Sequence, residues 1–302
     1  MSEVIATEGL TMDFGGTRAL ESVDLAVPQG SLYSLLGPNG SGKSTLLKLA
    51  SGLLKPSRGA IRVLDMNPFK EAPILARRVG VALDDHALPR WATGKRFLLF
   101  AARLKGLSYP EAEARKAGEV LGVTEYWRRE IGTYSAGMYK KLVLAQALLG
   151  DSELLLLDEP TSNLDAASRE ALVALLAQRR EDGCTVVVAS HMLTEIQDST
   201  HLAVFLNGRI HGSGDIKELA TSHGATTTVI ETPAPQRIVD VLLGQGLDSM
   251  LVGPNRVEIP GNWEHITRVL ETLKEMEIPH TVLGERFDLY KIYHAALTEP
   301  PA

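Results

Sequence analysis

The chain has 302 residues, with 31 Lys+Arg against 37 Asp+Glu and a formal net charge of −6. Apolar residues at 44% and charged residues at 23% describe an ordinary globular protein of about two domains and exclude a disordered chain. The acid surplus argues against a protein whose main task is gripping nucleic acid, and the single cysteine, Cys184, excludes an internal disulfide framework and fits a reducing compartment.

The opening MSEVIATEGL lacks the apolar core of a secretory signal. No run approaches the ~18 uncharged apolar residues that cross a bilayer, so the expectation is a cytoplasmic chain. Val4 to Phe14 alternates apolar and polar residues, breaks at Gly15-Gly16, and is followed by a strand-like run from Ser22 to Val27. Ser31 to Leu36 is a short apolar run of buried-strand type. It feeds a Gly-rich loop and a helix-like segment from Lys43 to Leu53, the start of an α/β domain.

From about Thr93 to Leu149 the apolar spacing turns helical, with Pro110 placed at a helix start. Two buried-strand runs follow, Leu154 to Leu157 and Thr185 to Ala189, separated by a helical stretch from Ala166 to Arg180. A hairpin from Leu202 to Leu206 turns at Asn207-Gly208 into Arg209-Ile210-His211. Residues 1–216 thus read as one α/β domain with a helical insertion at about 86–149. In residues 217–302, strand signals at 226–231, 249–253, 255–259 and 280–284 alternate with helical stretches at 235–245 and 263–276. That β-α-β-β-α-β order is the one of a ferredoxin-like unit, and a last helix follows at about 287–297.

The chemistry concentrates in two places. Gly37-Pro38-Asn39-Gly40-Ser41-Gly42-Lys43-Ser44-Thr45 satisfies the phosphate-loop pattern G-x-x-x-x-G-K-S/T between a strand and a helix. Its glycines let successive backbone N–H groups converge on an anion, and the helix start adds a partial positive charge. Lys43 supplies a charge for the β- and γ-phosphates, and the Ser44 hydroxyl is placed to ligate Mg²⁺. Downstream, Leu154 to Leu157 ends in Asp158-Glu159-Pro160. A parallel strand there delivers Asp158 beside the loop as a metal ligand and Glu159 beside the γ-phosphate, where it can polarise water. No N-K-x-D tetrapeptide of a GTPase is present.

With these residues in place, the chain resembles the ATP-binding subunit of an ABC transporter, in particular the exporter-type cassettes with a Y-S-x-G-M signature. Tyr134-Ser135-Ala136-Gly137-Met138 resembles that signature, Ser162-Asn163-Leu164-Asp165 the D-loop, and Ser190-His191 the switch histidine, while Phe14 stands where the family stacks an aromatic ring on adenine. The matches run in the family's order through residues ~10 to 210. The resemblance implies a P-loop ATPase domain with an antiparallel β subdomain and helical insertion, followed here by a small α+β domain. It implies ATP and Mg²⁺ as ligands and catalytic roles for Lys43, Glu159 and His191. It also implies a second cassette docked head to tail, so that Ser135, Gly137 and Asp165 complete the opposite site. A permease on a separate chain would hold the pair at the inner face of the membrane, with no nucleic acid involved.

The signature departs from the family's usual L-S-G-G-Q at Ala136 and Met138, which stand for a Gly and the Gln, and one further position departs as well. Where the family carries a metal-ligating Gln after Val79-Gly80, this chain has Asp84. It is either a metal ligand or, with Asp85, a cap on the following segment. A soluble ABC ATPase acting on DNA or ribosomes usually has two cassettes or a coiled-coil interruption, neither of which is found here. A regulatory module that binds ATP without turnover is disfavoured by the intact Glu159 and His191. His265, His280 and His294 read as packing residues, and Cys184 as a small core residue.

Overall fold

The computed structural model describes residues 2–85, 87–244, 247–261 and 263–298. The chain divides between Ser213 and Gly214 into two compact units.

In the first unit the opening hairpin is β1 (Glu3–Phe14) and β2 (Thr17–Pro28), joined at Gly15-Gly16. After β3 (Leu32–Leu36) and α1 (Lys43–Ala50) comes β4 (Arg58–Val63), which lies on the far side of β1 to give a three-stranded antiparallel sheet β2-β1-β4. A short helix α2 (Ala72–Arg78) leads into β5 (Val79–Ala82). The helical insertion follows as α3 (Gly94–Leu104), α4 (Pro110–Val120) and α5 (Ala136–Ala147). Then come β6 (Leu154–Asp158), α6 (Ala166–Glu181), β7 (Thr185–Ser190) and the hairpin β8 (His201–Leu206) and β9 (Arg209–Asp215).

The second sheet has the order β5-β6-β7-β3-β8-β9. Each pair from β5 to β8 is parallel, and such strands are buried on both faces, which is why they read as unbroken Leu and Val runs. Leu154, Leu156, Val187 and Ala189 face a core shared with the antiparallel sheet and α1. Leu155, Leu157, Val186 and Val188 face a second core with the helical insertion and α6.

Register is what builds the site. Leu36 pairs with Ser190, Asp158 with Ala189 and Ala82 with Leu157, so four strands end at one edge of the sheet. The segments leaving that edge begin at Gly37, Leu83, Glu159 and His191, and the carboxyl edge of a parallel sheet is where ligands bind.

The second unit opens with α7 (Ile216–Ser222) and continues β10 (Thr226–Glu231), α8 (Pro235–Gly244), β11 (Met250–Gly253), β12 (Arg256–Pro260), α9 (Trp263–Glu275), β13 (Thr281–Phe287) and α10 (Leu289–Thr298). Its sheet has the order β11-β12-β10-β13 with every pair antiparallel, the ferredoxin-like arrangement. Ile238 and Leu242 of α8 and Ile266, Val269 and Leu273 of α9 bury their stripes against Ile230, Val257 and Ile259.

Several boundaries differ from the reading by periodicity. The helix after the phosphate loop stops at Ala50, because Ser51, Gly52 and Leu53 turn back onto its last carbonyls. The last helix of the insertion runs from Ala136 to Ala147 and stops short of Leu149. β4, α2 and α7 lie outside the assigned stretches. Each is only six or seven residues long, and α2 buries Leu75 alone.

Leu156 is fully buried at the centre of β6. Truncation of such a side chain costs about 2–5 kcal/mol. Leu156→Ala is therefore expected to shift urea unfolding of the first unit by that amount. A shift under about 1 kcal/mol would contradict the packing described here.

Candidate functional site

The phosphate loop bridges β3 and α1, and two of its glycines have no substitute. Gly42 sits at φ 108°, and a Cβ there would lie 2.6 Å from the Ala19 carbonyl oxygen and from Leu20. At Gly37 a Cβ would lie 2.2 Å from the Phe205 carbonyl oxygen. Gly42 is also the N-cap of α1 and contributes no side-chain bond, so the first N–H groups of that helix are left for a ligand. Ser41 Oγ is buried with no partner among the described residues.

Lys43 is 5% exposed, and its Nζ donates to the carbonyl oxygens of Gly37 at 2.6 Å and Pro38 at 3.0 Å. Burial pulls its ammonium pKa below the ordinary lysine value, while the charges of Glu159 and Asp158 resist that pull. A desolvated cation with weak carbonyl partners is suited to exchanging them for phosphate oxygens.

Asp158 is 3% exposed, and its Oδ1 has no hydrogen-bond partner among the described residues. Burial pushes its carboxyl above the usual carboxylate range. A hydrogen bond from Ser44 and the charge of Lys140 pull it back, Asp84 raises it further, and Lys43 lowers it. An unsatisfied buried carboxylate oxygen beside a serine hydroxyl is a hard-oxygen donor set, and it fits Mg²⁺.

Glu159 occupies the left-handed region at φ 45°, a conformation that costs a non-glycine residue about 1–3 kcal/mol unless its surroundings hold it. Its N–H donates to the Ala189 carbonyl at 2.9 Å, and its own carbonyl accepts from Ser162 Oγ at 2.8 Å. Its Oε1 shares a 2.8 Å hydrogen bond with His191 Nδ1. The Glu159 side chain is 16% exposed and that of His191 46%, so the pair opens toward solvent from the histidine side.

Asp84 is held by Lys140. That lysine is buried in α5, yet its Nζ reaches Asp84 Oδ1 at 3.2 Å and the Asp158 carbonyl oxygen at 2.9 Å. Asp85 pairs instead with Lys48 at 2.5 Å. The next helix, α3, is capped by Thr93, whose hydroxyl accepts from Arg96 N–H. Lys140 has no motif to announce it. The available signal is a pair of lysines, Lys140 and Lys141, in a mostly apolar helix, together with an acid cluster too large for Lys43 alone.

The signature residues form a second group. Ser135 is the N-cap of α5 and accepts from Met138 N–H at 3.2 Å. Asp165 is the N-cap of α6, accepting from Ser168 N–H at 2.9 Å and from Lys141 Nζ at 2.6 Å, contacts that hold its carboxyl well below the usual range. Gly137 abuts the D-loop, where a Cβ would lie 2.7 Å from the Asn163 carbonyl oxygen. Phe14, at the tip of the first hairpin, is 46% exposed. Among the described residues no group of three or more His, Cys, Asp or Glu forms a self-contained metal cluster, and no helix is long and apolar enough to cross a membrane.

A phosphate loop on β3, an Asp-Glu pair on β6 and a histidine on the strand between them define a P-loop nucleoside triphosphatase. The chain belongs to the ABC transporter ATP-binding family. The ABC transporter family profile matches residues 20–162. The daunorubicin/doxorubicin resistance ATP-binding protein DrrA of Streptomyces peucetius is 34% identical over 227 residues, covering 74% of this chain and 69% of that protein. The uncharacterized ABC transporter ATP-binding protein YhcH of Bacillus subtilis is 29% identical over 281 residues, 92% of this chain and 90% of that one, and so extends into the second unit. Among solved structures, the dimeric post-hydrolysis ATP-binding cassette MJ0796 bound to ADP and Pi shares the fold, with a TM-score of 0.64 and 22% identity over 70% of this chain and 98% of that one. The chain is an ATP-binding cassette with ATPase chemistry.

The raised Asp158 carboxyl has a consequence for stability. It binds its proton more tightly in the fold than in the unfolded chain, so its favourable contribution is present below the ordinary value of about 4 and is lost as pH rises through its higher folded value. At about pH 7 the ionised group is a net cost. Asp158→Asn should therefore raise the melting temperature of the nucleotide-free protein near neutrality, with the gain shrinking as pH falls through the raised folded value and vanishing below about 4. A lower melting temperature for the variant at neutral pH would refute this account of the carboxylate.

Proposed function

We propose that this chain hydrolyses ATP between two head-to-tail cassettes and thereby drives a separate membrane permease in the direction of export. The observation that carries the reading is the convergence of Lys43, Asp158, Glu159 and His191 on one edge of a parallel sheet, beside a helix start with free N–H groups. Residues Gly37, Pro38, Asn39, Gly40, Ser41, Gly42 and Thr45 supply the main chain that wraps the phosphates, with the charge of Lys43 at their centre. The exposed ring of Phe14 offers its face to adenine.

Ser44 and Asp158 would hold Mg²⁺, with Asp84 as a further oxygen donor. A Mg²⁺ bound there would supply charge neutralisation for the phosphates. Glu159 orients and polarises the attacking water, and His191 fixes the Glu159 carboxylate through their shared hydrogen bond. Ser135, Gly137 and Asp165 lie at two further helix starts, α5 and α6, and serve the nucleotide of the opposite cassette. The dimeric state of the MJ0796 cassette, which shares this fold, supports the pairing of two cassettes. Export is supported by the exporter-type signature Tyr134-Ser135-Ala136-Gly137-Met138 and by similarity to a protein named for drug resistance. The permease would hold the cassettes at the inner face of the membrane.

Replacing the residue that polarises water is expected to cost about 10²–10⁴-fold in turnover. Glu159→Gln should lose phosphate release by that factor while still binding a fluorescent ATP analogue. If wild type with its permease turns over no faster than the variant, the chain is an ATP-binding regulatory module instead. For the metal, Asp84→Asn is expected to raise the Mg²⁺ concentration giving half-maximal turnover by roughly threefold or more. An unchanged Mg²⁺ titration would remove Asp84 from the ligand set.

A further inference from the structure

Glu195 closes a single 3-10 turn, Leu193–Glu195, just beyond the end of β7. Its carboxylate accepts two hydrogen bonds, one oxygen taking the Thr161 hydroxyl and the other the Ser190 hydroxyl. These two hydroxyls flank the hydrolytic pair. Thr161 lies two residues beyond Glu159, Ser190 immediately precedes His191, and both are buried. Together with the bond between Glu159 and His191, the contacts form a closed ring: Glu159, Thr161, Glu195, Ser190, His191 and back to Glu159.

The ring passes through the least comfortable backbone in the site. Glu159 at φ 45° stays there only if the loop after it is tied down. Two local ties come from Ser162, whose N–H and hydroxyl both donate to the Glu159 carbonyl. The tie to the histidine strand is the Glu159 N–H to Ala189 bond. Beyond these, the Thr161 hydroxyl reaches the histidine loop through Glu195. A carboxylate serves this purpose well, because it accepts from both sides at once and charge-assisted bonds are the strong ones. Behind the clamp lies a cavity of about 100 Å³ lined by Pro160, Thr161, Leu172, Leu176, Glu195 and Ser199, which gives the loops room to relax if the clamp opens.

We propose that Glu195 is a positioning residue for ATP hydrolysis: by holding Thr161 and Ser190 on one carboxylate it sets Glu159 and His191 at hydrogen-bonding distance. The inference rests on the reading of Glu159 and His191 as the hydrolytic pair. It concerns the chemical step and leaves nucleotide binding untouched, since none of the clamp's three residues belongs to the phosphate loop.

The test uses the full chain with its permease and compares Glu195→Ala, Glu195→Gln and Thr161→Val. Misplacement of a reacting group by about 1 Å costs on the order of 10²-fold. Glu195→Ala should lower kcat for ATP by about ten- to a hundredfold, with KM and fluorescent-nucleotide affinity within about twofold of wild type. Glu195→Gln keeps both bonds, its carbonyl accepting from one hydroxyl and its amide donating to the other, and should stay within about threefold of wild type. Thr161→Val removes one of the two bonds and should give an intermediate loss, which keeps the test open if the alanine variant fails to fold. In a Glu159→Gln background, Glu195→Ala should cost nothing further, because the two residues act as one unit.

Wild-type kcat in Glu195→Ala would overturn the proposal. So would a rise in KM at constant kcat, or an equal loss in Glu195→Gln. An additive loss in the Glu159→Gln background would likewise reduce Glu195 to a general structural contact. If Glu159→Gln itself leaves turnover unaltered, the hydrolytic reading fails first, and that result is distinct from a normal Glu159 effect without a Glu195 effect.

Discussion

The in-register pairing of β6, β7 and β3 is the constraint on which the cassette depends. Parallel strands at a fixed spacing leave no freedom in where their ends fall. Once Leu36 is opposite Ser190 and Asp158 opposite Ala189, the phosphate loop, the Asp-Glu pair and the histidine are neighbours by construction. The hydrophobic Leu and Val runs that make these strands stable on both faces are thus also what positions the polar groups at their tips. A slip of one residue would exchange the side chains between the two cores and carry the polar groups off the shared edge.

Around that edge the electrostatics are deliberately uneven. Asp84, Asp158 and Glu159 crowd one end of the sheet, and Lys43 and Lys140 answer them from two directions. Lys43 is partly desolvated and bonded only to carbonyl oxygens, whereas Lys140 is committed to the acids. Among the described residues, Lys43 thus has carbonyl partners alone, while Lys140 ties the Asp84 carboxylate to the Asp158 main chain. That tie explains how an aspartate can stand where the family has a neutral glutamine: the extra negative charge has its counter-charge on the signature helix.

Much of this was legible in the amino-acid sequence, because the chemistry is carried by contiguous runs. Gly37 to Thr45, Leu154 to Pro160 and Tyr134 to Met138 each state their geometry locally, and the β-α-β-β-α-β order of the second unit follows from alternation and helical spacing. The contacts that remained hidden span the chain. Lys140 meets Asp84 across 56 residues, and Glu195 meets Thr161 across 34, with no periodicity or spacing rule to connect them. Elements of six or seven residues, such as β4 and α2, also escape, since too few of their side chains are buried to set a pattern. Asp84 shows the limit from the other side. Its departure from the family was visible, but its partner was not.

The caps of α5 and α6 carry one more implication. Ser135 and Asp165 each cap their own helix, Lys141 of α5 grips Asp165 of α6, and Gly137 lies flush against the Asn163 carbonyl. Two helix starts joined in this way behave as one stiff jaw, with no slack between its teeth. Ser135, Gly137 and Asp165 therefore keep fixed positions relative to one another, so a substitution at any one of them disturbs the setting of the other two.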